Sequence, residues 1–436
     1  MFDDSQLLAI SPLDGRYGQQ TILLRQLFSE FAYIKYRVII EIAYLELLAK
    51  LKIIKPLTKK QKNIGNVFSL KDAQRVKKIE LVTKHDIKAI EYFLKEKLQR
   101  KDLLTYVHFG LTSDDVNNLA YSLMLTEGNK ILVAQYEELL TVLTLLSHRY
   151  AGSPMLALTH GQPAVPTTFG KELAVFRERL ARLHKRLATH VFGGKVTGAV
   201  GNFNALAFAY PSKNWLKISR EFVKSLGLMS VVVTTQILPP DTITEYFMLI
   251  HEINTILIGF SQDMWMYISR GLVKLKTTKG QVGSSTMPQK VNPIDFENAE
   301  GNLGAALTLA EFFMRKLPVS RMQRDLSDST VKRLYGSAIG FTLVAWKSLT
   351  RGLGTISFHE EAATHELNAH WEILAEAIQV YYKTLGNAAG YEKVKQELVG
   401  KKLNEQAYKE LVRKYPKLVR LTPTTYLGLA QKIAKL

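Results

Sequence analysis

One apolar stripe constrains the fold of this chain more than any other feature. Between residues 169 and 187, apolar residues recur in alternating steps of four and three, the spacing that buries one side of a long α-helix. The stripe consists of Phe169, Leu173, Phe176, Leu180, Leu183 and Leu187, while Arg177, Arg179, Lys185 and Arg186 occupy other faces. Such a helix must pack against others, so the pattern predicts a helical bundle.

Two further segments have the same period. One follows Pro239-Pro240 and continues to about residue 270, and the other begins at Thr112-Ser113. The first stripe contains Ile243, Phe247, Ile250, Asn254, Leu257, Met264 and Tyr267, and the second contains Val116, Leu119, Ala120 and Leu123. Helices of roughly 40 Å, at 1.5 Å per residue, exceed what a small globule needs. The sequence therefore predicts an all-α fold with a long bundle, whose several apolar faces suggest packing between subunits.

Composition limits the class of protein. A chain of 436 residues predicts two or three domains. It has no cysteine, which excludes disulfides and thiolate metal sites and fits a reducing compartment. Asp3 and Asp4 stand where a secretory signal would be basic, and no run of about 18 apolar residues predicts a membrane span. We therefore expect a cytoplasmic protein that does not enter a membrane.

The net charge of +19 first suggests a nucleic-acid partner. However, the basic residues are interleaved with acidic ones, as in Lys171-Glu172 and Arg177-Glu178-Arg179, and no nucleic-acid-binding motif is present. The pattern favours a solvated basic surface over a specific nucleic-acid site. A positive field that attracts an anionic substrate is equally compatible with the charge.

The segment from Gly283 to Pro293 reads Gly-Ser-Ser-Thr-Met-Pro-Gln-Lys-Val-Asn-Pro and precedes a predicted helix. Asn292 suits the N-cap, Pro293 the first helical position, and Asp295 and Glu297 the first turns. Backbone donors and one lysine would thus meet at a helix N-terminus, an arrangement that stabilises anions. A serine hydroxyl beside Lys290 could act there as a general base. The alternative is an ordinary surface loop before a capped helix.

The whole eleven-residue string resembles the signature of the fumarase/aspartase superfamily, whose members cleave a C–N or C–O bond by β-elimination and release fumarate. Further stretches are similar to the adenylosuccinate lyase family within it and cover most of the chain. They are residues 11–17, 84–86, 112–115, 159–164, 234–236, 317–321 and 324–325.

The resemblance implies a three-part fold: a helical N-terminal domain (1–109), a central bundle domain (110–352) and a helical C-terminal domain (353–436). Gly110-Leu111-Thr112 and the glycine-broken run Arg351-Gly352-Leu353-Gly354 mark the two boundaries. In the superfamily the bundles of four subunits assemble into a homotetramer, and each active site collects segments from three subunits. No cofactor and no metal are expected.

The chemistry requires a strong base, donors for the developing charge and an acid for the leaving nitrogen. By resemblance, Ser284 is the base and His160 the acid, and the substrate carboxylate is held by Ser285, Lys290, Val291 and Asn292. Gly161, Pro163 and Pro166 predict a turn just ahead of the helix whose apolar stripe begins at Phe169. The imidazole of His160 should therefore lie at a helix end and outside the core. A histidine at such a place is otherwise an ordinary polar residue.

The remaining binding residues also follow from the resemblance. They are Arg16, Tyr17, Lys84, His85, Asp86, Thr112, Ser113, Gln236, Asn298, Arg324, Ser329, Thr330 and Arg333. His85 borders the substrate phosphate or assists the acid, and capping of a helix is its structural alternative. Guanidinium groups and hydroxyls near residues 324–333 suit a phosphate.

Position 289 bears on the substrate. Many adenylosuccinate lyases have histidine there, whereas this chain has Gln289, as argininosuccinate lyases do. The segments 84–86 and 317–333 nevertheless favour a nucleotide: adenylosuccinate and the succinylated aminoimidazole carboxamide ribotide of purine synthesis. Argininosuccinate lyase activity is the alternative. A catalytically silent relative would have lost the base or the acid, and Ser284 and His160 are both present.

Overall fold

The computed structural model describes residues 4–276, 287, 289–387, 389–398 and 402–436. These residues are mostly helical, which confirms the all-α prediction. Within them, no helix is long and apolar enough to cross a membrane.

The helices are α1 (Asp4–Leu7), α2 (Ile22–Phe28), α3 (Glu30–Lys50), α4 (Lys59–Lys62), α5 (Leu70–Thr83), α6 (Asp86–Leu98), α7 (Lys101–Leu104), α8 (Ser113–Arg149), α9 (Phe169–Ala188), α10 (Asn204–Ala209), α11 (Trp215–Ser225), α12 (Asp241–Ser269), α13 (Ile294–Lys316), α14 (Ser327–Lys332), α15 (Tyr335–Thr355), α16 (Glu360–Asn368), α17 (Ala375–Thr384), α18 (Gly390–Leu398), α19 (Glu405–Val412), α20 (Pro416–Val419) and α21 (Ala430–Ile433). A 3₁₀ helix at Trp371–Leu374 precedes α17.

The three helices predicted from their apolar stripes are α8, α9 and α12. The first of them has 37 residues, which corresponds to about 55 Å at 1.5 Å per residue. Along α9 every residue of the apolar stripe is buried except Phe176, which is half-buried. On α12 the buried stripe includes Asn254, whose side-chain amide donates to Thr342 Oγ1 at 3.0 Å. The stripes therefore face the interior, as their spacing indicated.

Residue contacts divide the chain into two compact units. The first consists of residues 1–135, 184–255 and 302–344, and the second of residues 136–183, 256–301 and 345–436. The boundaries fall inside α8, α9, α12, α13 and α15, so each of these long helices contributes residues to both units.

The core of the first unit is rich in aromatic side chains. Tyr33 stacks on Tyr121 with ring centroids 4.4 Å apart, and Tyr121 meets Tyr335 edge-on at 5.6 Å. In the second unit, Tyr136 packs on Trp346 at 4.9 Å. A separate apolar cluster of that unit is built around Trp371, Leu374, Ile378, Tyr408 and Val412.

Three short two-stranded sheets interrupt the helical fold of the described residues. Strands β1 (Pro154–Thr159) and β2 (Gln162–Thr168) form an antiparallel hairpin, β3 (Gly193–Gly194) pairs in parallel with β4 (Met229–Ser230), and β5 (Val273–Leu275) pairs antiparallel with β6 (Ile356–Phe358). The pattern of the sequence predicted none of these sheets.

The glycine-broken point at residues 351–354 is not a break. Helix α15 continues through Gly352 and Gly354 and ends at Thr355. A Cβ atom on Gly352 would lie 3.2 Å from the ring of Phe296 in α13, so this glycine permits close approach of the two helices. The helices after this point, α16 to α21, are short.

Candidate active site

The expected base Ser284 and its neighbour Ser285 lie outside the described residues. The end of the signature segment is described from Gln289 onward. Lys290 is exposed, Val291 and Asn292 are half-buried, and Asn298 accepts a hydrogen bond of 2.8 Å from Ser348 Oγ.

The helix after this segment begins one residue later than the sequence suggested. Helix α13 starts at Ile294, and the carbonyl oxygen of Pro293 accepts from the backbone N–H of Glu297 at 3.2 Å. Pro293 therefore occupies the N-cap position that was assigned to Asn292, because its carbonyl makes the first helical bond. Asp295 and Glu297 lie in the first turn as predicted, where they complement the helix dipole.

His160 lies at the tip of the β1–β2 hairpin. Thr159 pairs with Gln162, and the two residues between them, His160 and Gly161, have φ of 53° and 72°. Positive φ at both central residues is what a tight two-residue hairpin turn requires. The expectation of a helix end was wrong, since α9 begins only at Phe169. The expectation that the imidazole stays outside the core is confirmed, because His160 is exposed.

The segment 84–86 joins α5 to α6. Lys84 has a left-handed backbone with φ of 53°, and His85 caps α6 by accepting from the N–H of Lys88 at 3.3 Å. Asp86 accepts from its neighbour Ile87 at 2.8 Å and from Arg37 Nη2 at 2.7 Å. Burial would raise the pKa of Asp86, but the guanidinium of Arg37 and the backbone N–H of Ile87 together hold the pKa below its usual value.

The start of α8 is held by its own acidic residues. The backbone N–H of Thr112 donates to Asp115 Oδ2 at 2.8 Å, and Ser113 is the first helical residue. Both are half-buried, whereas Asp114 and Asp115 are buried. Asp115 also accepts from the N–H of Thr197 at 3.0 Å. The two carboxylates thus fix the backbone that presents the two hydroxyls.

Asp114 connects three of the expected binding segments within the first unit. Its carboxylate accepts from the N–H of Leu238 at 3.1 Å and lies 3.6 Å from Arg324 Nη1. The N–H of Gln236 donates to the carbonyl of Gln323 at 3.3 Å. Residues 112–115, 236–238 and 323–324 are therefore in contact with one another.

Helix α14 brings further cations to the same region. Buried Lys332 lies 4.0 Å from Asp114 and 2.5 Å from Asp328. Burial would lower the pKa of Lys332, but the two carboxylates outweigh it and raise the pKa above its usual value. Ser329 is half-buried and its hydroxyl donates to the carbonyl of Leu326, while Thr330 is exposed.

Arg333 is exposed and pairs with Glu30. Its Nη1 lies 2.9 Å from Glu30 Oε2, and its guanidinium carbon lies 5.8 Å from the ring centroid of Tyr33. Near the N-terminus, Arg16 is exposed and half-buried Tyr17 accepts a long hydrogen bond of 3.5 Å from Asn302 Nδ2.

The expected site residues divide between the two units. Those at 16, 17, 84–86, 112, 113, 236, 324, 329, 330 and 333 belong to the first, and those at 160, 290–292 and 298 belong to the second. Among the described residues, no group of three or more His, Asp or Glu side chains is arranged to hold a metal ion.

Comparison with known proteins decides the family. A lyase family model matches residues 15–307, and the adenylosuccinate lyase C-terminal model matches residues 320–427. The chain is 44% identical to the adenylosuccinate lyase of Haemophilus influenzae over 99% of both chains, and 42% identical to that of Escherichia coli K12 over 98% of both. The chain belongs to the adenylosuccinate lyase family.

As a member of the adenylosuccinate lyase family, the chain is a lyase, and its fold is found in solved structures. A fumarate lyase from Mesorhizobium sp. BNC1 superposes with a TM-score of 0.79 at 18% identity, covering 95% of this chain and 96% of that one. The 3-carboxy-cis,cis-muconate lactonizing enzyme of Pseudomonas putida gives the same TM-score and identity over 95% of both chains. At this identity the likeness shows the fold alone.

Sequence reasoning missed several buried polar residues that contact the expected binding segments of this adenylosuccinate lyase family member. Arg37, Asp114, Asp115, Lys195 and Lys332 are buried and hold the binding segments through ion pairs. One signal was available on α3, where two charged residues, Arg37 and Glu41, interrupt an otherwise apolar stripe. Charged residues at such positions are seldom buried unless they are paired.

Proposed function

We propose that this lyase removes fumarate from adenylosuccinate to give AMP, and from the succinylated aminoimidazole carboxamide ribotide to give the free aminoimidazole carboxamide ribotide (AICAR). Membership of the adenylosuccinate lyase family over nearly the whole chain carries this proposal. Both substrates present the same succinyl-amine and ribose phosphate, so one site suits both. The enzyme would act twice in purine nucleotide biosynthesis.

The elimination breaks one C–H and one C–N bond. Ser284 takes the proton from the succinyl carbon next to the carboxylate, and the electron pair left on that carbon becomes the new C=C bond of fumarate. The C–N electrons leave with the nitrogen, which His160 protonates. The Ser284 alkoxide would be stabilised by Lys290 and by the N-terminus of α13.

The hairpin supports the role of His160. Paired strands on both sides hold the two-residue turn, and the exposed imidazole is free of the core. A general acid must reach its substrate within hydrogen-bonding distance, and a side chain on a rigid hairpin tip keeps its position with little loss of conformational entropy. The carboxylate would be bound by Ser285, Lys290, Val291 and Asn292, with Asn298 on the following helix.

The cations of the first unit support a phosphate site. Arg324 and Arg333 would bind the phosphate together with Ser329 and Thr330, since planar guanidinium groups make two parallel hydrogen bonds to phosphate oxygens. The segments at 16–17, 84–86, 112–113 and 236 would complete the nucleotide pocket. The net charge of +19 favours approach of such an anion.

We further propose a cytoplasmic homotetramer of three-domain subunits (1–109, 110–352 and 353–436), with each active site built from three subunits. The exposed apolar residues Met248, Trp265 and Met266 of α12 support burial of this helix between subunits. No specific nucleic-acid partner is part of this proposal.

The test is a steady-state assay of the purified chain that follows fumarate release from three compounds: adenylosuccinate, the succinylated ribotide and argininosuccinate. Turnover of both nucleotides, with none of argininosuccinate, is the expected result. Turnover of argininosuccinate alone would refute the proposal. It would show that Gln289, which argininosuccinate lyases share, indicated the substrate correctly.

A further inference from the structure

Arg37 is a buried cation that no sequence motif of the site contains. It lies on α3, its side chain is 2% exposed, and its guanidinium carbon lies 3.6 Å from the ring centroid of Tyr33. Its Nη2 donates to Asp86 Oδ2 at 2.7 Å and its Nε donates to Asn117 Oδ1 at 2.8 Å. Burial of an arginine is costly unless such partners compensate it. The three contacts therefore fix the guanidinium in one orientation.

One of these partners belongs to an expected binding segment. Asp86 uses one carboxylate oxygen to hold the first turn of α6 and the other to hold Arg37. The residue two positions before it, Lys84, has the left-handed φ of 53° that non-glycine residues adopt only when their surroundings impose it. The contact with Arg37 therefore helps to keep Lys84 and His85 in place at the N-terminus of α6.

Helix α3 also contacts a second expected binding segment, the one that contains Arg333. Tyr33, one turn before Arg37, has the guanidinium carbon of Arg333 5.8 Å from its ring centroid. Glu30, at the start of α3, pairs with Arg333 at 2.9 Å. The first two turns of α3 thus connect the segment around Asp86 with the segment around Arg333.

We propose that Arg37 is a positioning residue for the nucleotide end of the substrate. It touches no substrate atom itself but sets the geometry of Asp86, and through the Tyr33 ring it sets the relation of residues 84–86 to Arg333. This inference rests on the proposed function, because it assigns those segments to nucleotide binding.

The test measures the affinities of the two products separately by calorimetry, so it does not depend on turnover. In the variant Arg37→Lys the charge opposite Asp86 remains, but lysine lacks the planar fork that bonds Asp86 and Asn117 together and stacks on Tyr33. The Kd for AMP should rise about tenfold, the loss expected from one weakened charge-assisted hydrogen bond. The Kd for fumarate should stay at the wild-type value.

Two further variants make the result specific. Arg75→Lys is the matched control, because Arg75 makes a two-pronged pair with Glu96 on α6 but is exposed; it should leave both Kd values unchanged. Asn117→Ala removes only the acceptor of Arg37 Nε and should raise the Kd for AMP about threefold, which keeps the inference testable if Arg37→Lys does not fold.

Three outcomes overturn the role of Arg37. They are an unchanged Kd for AMP in the variant that folds, equal increases in the Kd values for AMP and fumarate, and absence of AMP binding by the wild-type chain. Failure of the proposed function is a separate result: the wild-type chain would then bind AMP but release no fumarate from adenylosuccinate.

Discussion

The ammonium group of Lys195 lies 2.9 Å from Asp115 Oδ1, and both side chains are completely buried. Asp115 also accepts from the backbone of Thr112 and Thr197, and the backbone N–H of Lys195 donates to Asn118 Oδ1 at 2.9 Å. The pair thereby ties the beginning of α8 to the chain after β3. The hydroxyls of Thr112 and Ser113, expected to bind substrate, depend on this buried connection.

Removal of one partner of this pair should destabilise the protein strongly. In Asp115→Asn the Lys195 charge stays buried without its counterion, and the free energy of unfolding should fall by about 3–5 kcal/mol. Chemical denaturation followed by circular dichroism measures the change.

The exposed pair between Lys409 and Glu405 supplies the control for that experiment. Glu405→Gln should change the free energy of unfolding by less than about 1 kcal/mol, because water screens the pair. Similar losses in the two variants would show that burial of the Asp115 pair is not what stabilises the fold.

The pKa values of two histidines in the first unit should be shifted in opposite directions. His108 lies 2.5 Å from the buried carboxylate of Glu41; burial would lower its pKa, but Glu41 outweighs this and raises the pKa above the ordinary value. Burial lowers the pKa of His190, whose Nε2 contacts the carbonyl of Thr242. NMR titration of the imidazole signals should place His108 above and His190 below the usual value of about 6.5.

The raised pKa of His108 has a consequence for stability. A group that binds its proton more tightly in the folded state stabilises that state fully below its unfolded pKa, and the contribution is lost as the pH rises through its folded pKa. The extra stability of wild type over Glu41→Gln should therefore shrink as the pH rises above about 6.5. A difference that grows with pH would contradict this assignment.

Much of the fold was readable from the spacing of apolar residues. The bounds of α9 and α12 and the first residue of α8 agree with their stripes, because a long helix repeats its signal over many turns. The hairpin β1–β2 was missed, since Pro163 and Pro166 indicated a turn and its strands are too short to show a clear alternation. The pair His160-Gly161 was the available signal, as a glycine suits the second position of a tight hairpin turn.

The buried polar residues were less accessible to sequence reasoning. Asp114 follows two residues that were expected to bind substrate, and nothing local distinguishes a carboxylate that contacts ligand from one that holds the backbone of Leu238. The distinction depends on which distant segments of the chain pack against the carboxylate, and the spacing of apolar residues does not predict those contacts. The same applies to Arg37, whose partners are 49 and 80 residues away.

Loss of the imidazole at the hairpin tip should stop the reaction and leave the assembly intact. His160→Ala removes the proposed acid for the leaving nitrogen, and kcat should fall by at least about 10²-fold, the usual contribution of such a group. Fumarate release and size-exclusion chromatography measure the two properties. His148→Ala, which removes another exposed histidine, should retain wild-type kcat. A near-normal rate in the His160 variant would assign the acid to another residue.

Arg333 should act on binding more than on chemistry. Arg333→Gln removes a guanidinium that is proposed to bind the phosphate, so KM for adenylosuccinate should rise about tenfold with a smaller change in kcat. Steady-state kinetics on this variant and on Arg75→Gln, which alters an exposed arginine away from the site, separate the two constants. A fall in kcat at constant KM would place Arg333 near the breaking bond and not at the phosphate.

The proposed division of labour between Ser284 and His160 is tested most directly by a crystal structure of the wild-type chain with AMP and fumarate bound. Once all subunits are considered, Ser284 Oγ should lie within about 3–3.5 Å of a CH carbon of fumarate. A ring nitrogen of His160 should lie within about 2.6–3.2 Å of the amino nitrogen of AMP. Separation of either group from its atom by several ångströms, in every combination of subunits, would contradict the elimination mechanism.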